Sequence, residues 1–126
     1  MKHNTLLTVA SLLSLLLLTL HITDDIVRGI SKAESSNTAL LVLALFLYGT
    51  LVLRERRSGH VIMLVIGLLA AAMPVLHMRG THYGEIAKSP GGFFFVSTLW
   101  ALGGLGGLTI LLSARGLWEL RRSRPK

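Results

Sequence analysis

Apolar residues in this chain come in four long unbroken runs, with none of the strict alternation of a half-buried strand or the one-faced pattern of a soluble helix. The first run covers residues 5–23, the second 38–53, the third 60–78 and the fourth 90–120. At about 1.5 Å of rise per residue, runs of this length approach the roughly 30 Å hydrocarbon core of a bilayer. A chain of 126 residues has too little mass to hide them all from solvent, so lipid has to cover them. The expected fold is therefore all-α: a single-domain integral membrane four-helix bundle.

The segments between the runs supply the punctuation. Ser36 and Asn37 are suitable N-caps for the second helix. The Arg54-Glu55-Arg56-Arg57 stretch closes a tight hairpin between the second and third helices. Pro90, following Ser89, suits the first turn of the fourth. The first run follows Lys2 and His3, as a signal peptide would. It is long, however, and has no small-x-small cleavage pattern before Asp24, so it is read as a retained span.

Charge then sets an orientation. The formal net charge of +7 gathers in the Arg54–Arg57 turn and the tail Arg121-Arg122-Ser123-Arg124-Pro125-Lys126. The other two loops carry less: Arg28 and Lys32 in one, Arg79 and Lys88 in the other. Lys and Arg favour the cytoplasmic side, which predicts that the N- and C-termini are both cytoplasmic. The same charges suit anionic lipid head groups, and no nucleic-acid-binding pattern accompanies them. Phe93, Phe94 and Phe95 are expected at the outer interface, Trp118 at the inner one.

With that topology, chemistry-bearing residues meet at the non-cytoplasmic end. His21, Asp24 and Asp25 close the first helix, and His77 closes the third. His82 and Glu85 follow in the loop. His21 and Asp25 share a helix face if the helix continues through Ile26 and Val27, and Pro74 can bend the third helix to turn His77 inward. Imidazole with carboxylate is a donor set for zinc, copper, nickel or non-haem iron. The candidate metal cluster is His21, Asp24, Asp25, His77, His82 and Glu85, with His21, Asp25 and His77 as first ligands. His21 and His77, at similar depth on different helices, are also candidate haem ligands. The competing account is that these are interfacial residues with wet polar tips. A poorer cluster at the opposite end holds Tyr48, Arg54, Glu55, His60 and Arg115.

Several classes drop out. There is no cysteine, which removes thiolate metal sites and Cys nucleophiles. No GxSxG elbow or HExxH pattern occurs, so no enzymatic reaction is assigned. Gly103, Gly104, Gly106 and Gly107 sit inside an apolar run with no strand before them, unlike a dinucleotide fingerprint. They read as a close-packing surface, with Gly103 and Gly107 at small-xxx-small spacing. Small residues at Gly67, Ala70, Ala71 and Ala72 do the same for the third helix. The leading functional expectation is a noncatalytic subunit or scaffold that forms a homo-oligomer or joins a larger membrane complex through the glycine-rich fourth helix. The alternative is a metal- or haem-binding membrane protein with its site on the outer face.

Overall fold

The computed structural model of the protein describes residues 3–30 and 38–123. Among them the chain is all-helical: α1 (His3–Val27), α2 (Thr38–Leu51), α3 (Arg57–Met78), α4 (Tyr83–Lys88) and α5 (Gly92–Arg122). By length and composition α1, α3 and α5 are apolar enough to cross a membrane. At 14 residues α2 extends about 21 Å, short of the hydrocarbon thickness. It ends two residues before the expected boundary. The charged Arg54–Arg56 turn follows directly, closed by Val52 N–H to the Tyr48 carbonyl and Arg56 N–H to the Leu53 carbonyl. The expected caps Ser36 and Asn37 lie outside the described residues.

Two boundaries depart from the sequence reading in the loop between α3 and α5. A one-and-a-half-turn helix, α4, occupies a stretch expected to be irregular. Helix α5 begins at Gly92, because Gly91 takes a left-handed conformation (φ 76°) that only glycine adopts without strain. Pro90 thus precedes the helix instead of opening it.

The core is a seam with the spacing of a coiled coil. On α1, Leu7, Ser11, Ser14, Leu18 and His21 alternate steps of four and three, with Ala10 and Leu15 buried beside them. On α5, Gly92, Phe95, Leu99, Leu102, Gly106, Thr109, Ser113 and Gly116 alternate steps of three and four throughout. That 3.5-residue period keeps one narrow face toward the neighbouring helices. Helices α3 and α5 pack most closely, followed by α1 and α5, and α2 packs against α1 and α3 and places Phe46 in the core.

Glycine sets the approach of α3 and α5. A Cβ on Gly106 would lie 2.5 Å from the Ala71 amide nitrogen, and one on Gly103 2.7 Å from the Pro74 ring. At Gly104 and Gly107 an added methyl would meet nothing within 4 Å. The four glycines therefore divide into an inner pair, Gly103 and Gly106, and an outer pair, Gly104 and Gly107.

Hydroxyls join the helices at depth. Ser11 and Thr50 hydrogen-bond at 2.8 Å, and Ser14 lies 3.4 Å from Thr109 while donating to the Ala10 carbonyl. Interhelical bonds of this kind contribute about 0.6 kcal/mol in lipid. Thr50→Val is accordingly expected to lower thermal stability in detergent by only that order, since Ser11 can turn to its own helix carbonyl. A loss several times larger would mean that the Ser11–Thr50 contact fixes the position of α2.

The remaining surface is apolar. Leu16, Leu40, Leu68, Leu76, Leu111 and Phe93 are all more than half exposed. Apolar cover of this extent around the helices is what a lipid-facing surface requires and what a soluble monomer avoids.

Candidate metal centre

At the α1 C-terminal end the buried seam turns from apolar to ligand-bearing. His21 occupies the next seam position after Leu18, and Asp25 follows one turn later. Helix α1 continues to Val27, the extension that brings His21 and Asp25 to one face. His77 comes from the last turn of α3, one turn beyond Pro74, and Phe95 from the first turn of α5. His21 is 1% exposed despite lying near a helix end.

The three donor groups converge. His21 Nε2 and His77 Nε2 are 3.1 Å apart, His77 Nε2 and Asp25 Oδ2 3.2 Å, and His21 Nε2 and Asp25 Oδ2 3.8 Å. A triangle with these sides has a circumradius of about 2.0 Å. Three vertices of a tetrahedron with bonds of about 2.05 Å give about 1.9 Å, whereas one face of an octahedron gives about 1.7 Å. The observed triangle is closer in size to a face of such a tetrahedron than to a face of an octahedron.

Proton bookkeeping leaves a proton or a cation to be placed between these groups. His77 Nδ1 lies 3.0 Å from the Met73 carbonyl oxygen. A carbonyl only accepts, so Nδ1 carries the proton and Nε2 of the neutral ring presents its lone pair. That lone pair faces another acceptor, Asp25 Oδ2. Two acceptors at this distance repel unless a proton or a cation sits between them. The Met73 carbonyl thereby does what backbone carbonyls do behind ligating histidines: it fixes the tautomer and the ring. His21 Nδ1 and Asp25 Oδ1 are buried without a hydrogen-bond partner, a cost of about 1–3 kcal/mol each when uncompensated.

Aromatic and cationic neighbours brace the group. The His21 and His77 rings meet edge to face, with centroids 4.5 Å apart. Phe95, 1% exposed, lies 5.0 Å from His21 and 5.7 Å from His77. The sequence reading puts it at the interface with Phe93 and Phe94. Only those two are exposed, because Phe95 alone falls on the α5 seam. Arg28 stands 5.6 Å over the Phe95 ring, binds Asp24 at 2.8 Å and donates to the Ser89 hydroxyl at 2.9 Å. It ties the end of α1 to the start of α5.

The other sequence candidates lie elsewhere. Asp24 is held by Arg28 and is not one of the converging donors. His82 and Glu85 form their own exposed pair at 3.6 Å. Among the described residues, His21, Asp25 and His77 are the set able to hold one ion, their ligand atoms all within 4.8 Å of one another. A cavity of about 190 Å³ adjoins His77, lined chiefly by Leu76, Tyr83, Ile86 and Phe95.

The poorer cluster at the other end does not converge. Arg54 pairs with Glu55, Arg115 with Glu119, and His60 is buried against the Arg56 carbonyl. Tyr48 is exposed.

No protein-family model matches the chain, and neither the curated proteins nor the solved structures contain a significant match.

Proposed function

We propose that this is a multi-pass membrane protein that holds one zinc-like divalent ion through His21, Asp25 and His77, with the fourth coordination position left to water or a small exogenous ligand. The observation that carries the reading is the triangle of donor atoms, sized for a tetrahedral ion and built on two helices that are distant in sequence. The cavity beside His77 gives that fourth ligand room. Both termini lie in the cytoplasm in this reading and the ion lies near the opposite face, as the Lys and Arg distribution favours. The apolar exteriors of α1, α3 and α5 support insertion, with α2 completing a four-helix bundle from its flank.

A haem between the same histidines is the weaker form of the idea. Axial ligands on opposite sides of an iron stand roughly 4 Å apart, nitrogen to nitrogen, with the porphyrin plane between them. The observed 3.1 Å and edge-to-face rings favour a bare ion.

Elemental analysis of untagged protein purified in mild detergent tests the assignment. About one zinc per chain is expected, and it should leave on acidification, because both imidazoles must be neutral to ligate. Protein from metal-replete cells that holds no divalent metal, and takes up none on zinc titration, would sink it.

The interaction reading keeps one specific support. Gly104 and Gly107 leave an open notch on the outer face of α5, beside the 70% exposed Leu111. A second helix in a homo-oligomer or a larger complex would fit closely there. Gly107→Leu should then convert an associated species to monomer in size-exclusion light scattering. Wild-type protein that is already monomeric in lipid nanodiscs removes that reading.

A further inference from the structure

At the opposite end of the molecule from the metal centre, α3 and α5 enclose a groove of about 490 Å³. Its floor and walls are apolar: Val61 and Leu64 from α3, and Ala114, Leu117 and Trp118 from α5. Its mouth is cationic, with Arg57 at the start of α3 and Arg121 in the last turn of α5.

The register makes this one surface. Arg57, Val61 and Leu64 follow four- and three-residue steps along α3, and Ala114, Leu117, Trp118 and Arg121 follow the same face of α5. Both arginines are exposed, and neither has a carboxylate partner among the described residues, although Arg54 and Arg115 on the same end each have one. Trp118 is 56% exposed, and the Arg122 guanidinium sits 5.0 Å from its ring centroid. An indole held with one edge on an apolar wall and a cation over its face is how tryptophan is placed at a membrane interface.

We infer that this groove binds one anionic glycerophospholipid, its phosphate held between Arg57 and Arg121 and one acyl chain lying along Val61, Leu64 and Leu117. Charge complementarity selects the occupant. A protein helix would need carboxylates at one end to meet the two guanidinium groups, while an anionic lipid brings its charge at the head-group level and its apolar part below. The distance from Arg57 to Leu64, about 10 Å along the helix, matches the upper part of an acyl chain. Basic groups near the cytoplasmic leaflet attract anionic lipid, and guanidinium binds phosphate in a two-pronged fashion. The inference is independent of the metal assignment.

The test is native mass spectrometry of the full chain released from detergent, with phosphatidylglycerol and phosphatidylcholine added in equal amounts. Wild-type protein is expected to retain one phosphatidylglycerol with roughly tenfold preference. The double variant Arg57→Gln/Arg121→Gln should bring the two lipids near parity. Arg54→Gln/Arg79→Gln removes the same net charge elsewhere and should leave the preference intact. Leu64→Trp, which fills the groove but spares both charges, should lower retention of either lipid. Equal retention of the two lipids by wild type, or equal loss of preference in both double variants, would replace a built site with diffuse surface charge and overturn the inference. Far-UV circular dichroism confirms that each variant is folded.

Discussion

His77→Ala is expected to empty the proposed metal centre, taking zinc from about one per chain to below about 0.1 while leaving the helices intact. The imidazole supplies one corner of the triangle, and its removal leaves His21 and Asp25 3.8 Å apart with no third His or carboxylate converging on them among the described residues. His82 and Glu85 form a separate exposed pair in the loop, outside the converging donor set. His82→Ala and Glu85→Gln should therefore keep full occupancy, which separates the buried triangle from the wider acidic and histidine-rich surface around it. Asp25→Asn preserves volume but removes the carboxylate charge, and should weaken zinc by at least tenfold.

Stability should follow occupancy. A ligand present at a thousand times its dissociation constant adds about 4 kcal/mol to the folded state. Added zinc should accordingly raise the thermal midpoint of wild-type protein in detergent, and should leave that of His77→Ala unmoved. The sign of the pH effect is fixed as well. Zinc binding displaces protons from imidazole, so the increment is present at neutral pH and disappears as the pH falls. Zinc retained in His77→Ala at wild-type stoichiometry would place the ion elsewhere.

Neighbouring glycines on α5 are expected to respond to alanine in opposite directions. Gly106→Ala should destabilise the protein by up to about 2 kcal/mol, while Gly107→Ala should be neutral or stabilise it by up to about 1 kcal/mol. Helix propensity alone favours alanine over glycine by about 1 kcal/mol at both sites. At Gly107 nothing opposes that gain, since no atom lies within 4 Å of the new methyl. At Gly106 the methyl would meet the Ala71 amide nitrogen at 2.5 Å, the Gly67 carbonyl oxygen at 2.7 Å and the Ala70 methyl at 2.8 Å. Backbone cannot rotate aside as a side chain can, so the two helices must separate. Overpacking of this sort costs about 1–3 kcal/mol.

That separation has a functional reading. His77 is carried by α3 and Phe95 by α5, so moving the two helices apart loosens the aromatic brace on the His pair. Gly106→Ala should therefore also weaken zinc binding, although the substitution lies three turns from the site. Parallel thermal unfolding and zinc titration of the two glycine variants checks both statements. Equal shifts in the two variants would mean that α3 and α5 are not in backbone contact.

How much of the site is legible in the sequence can be judged residue by residue. His21, Asp25 and His77 are recoverable from the placement of the apolar runs, because helices that run back and forth bring the end of the first and the end of the third to the same end of the bundle. The i, i+4 relation of His21 and Asp25 then needs nothing but a continued helix. Phe95, in company with Phe93 and Phe94, reads as an interface residue. The signal that separates it is the three-four alternation running from Gly92 to Gly116, which marks Phe95 as a seam residue. Reading the same alternation along α1 extends Leu7, Ser11, Ser14 and Leu18 directly to His21 and Asp25. Arg28 gives no such signal. Its reach to Asp24, Ser89 and Phe95 depends on where the start of α5 lands.

The amino-acid sequence by itself determined the four apolar helices but not the short α4, because length and apolar content act locally and each long run can satisfy its own backbone as a helix. It also determined that His21 and Asp25 lie in the last turns of α1 and His77 in the last turn of α3. Only the tertiary structure decided that α2 packs against α1 and α3 with Phe46 in the core, and that Gly103 and Gly106 face inward while Gly104 and Gly107 face out. It alone brought His21, Asp25 and His77 within bonding distance of a common point and set Asp24, His82 and Glu85 apart. Those outcomes turn on helix rotation and separation, which are fixed by contacts of a few tenths of an ångström between residues far apart in the chain, and hydropathy carries no record of them.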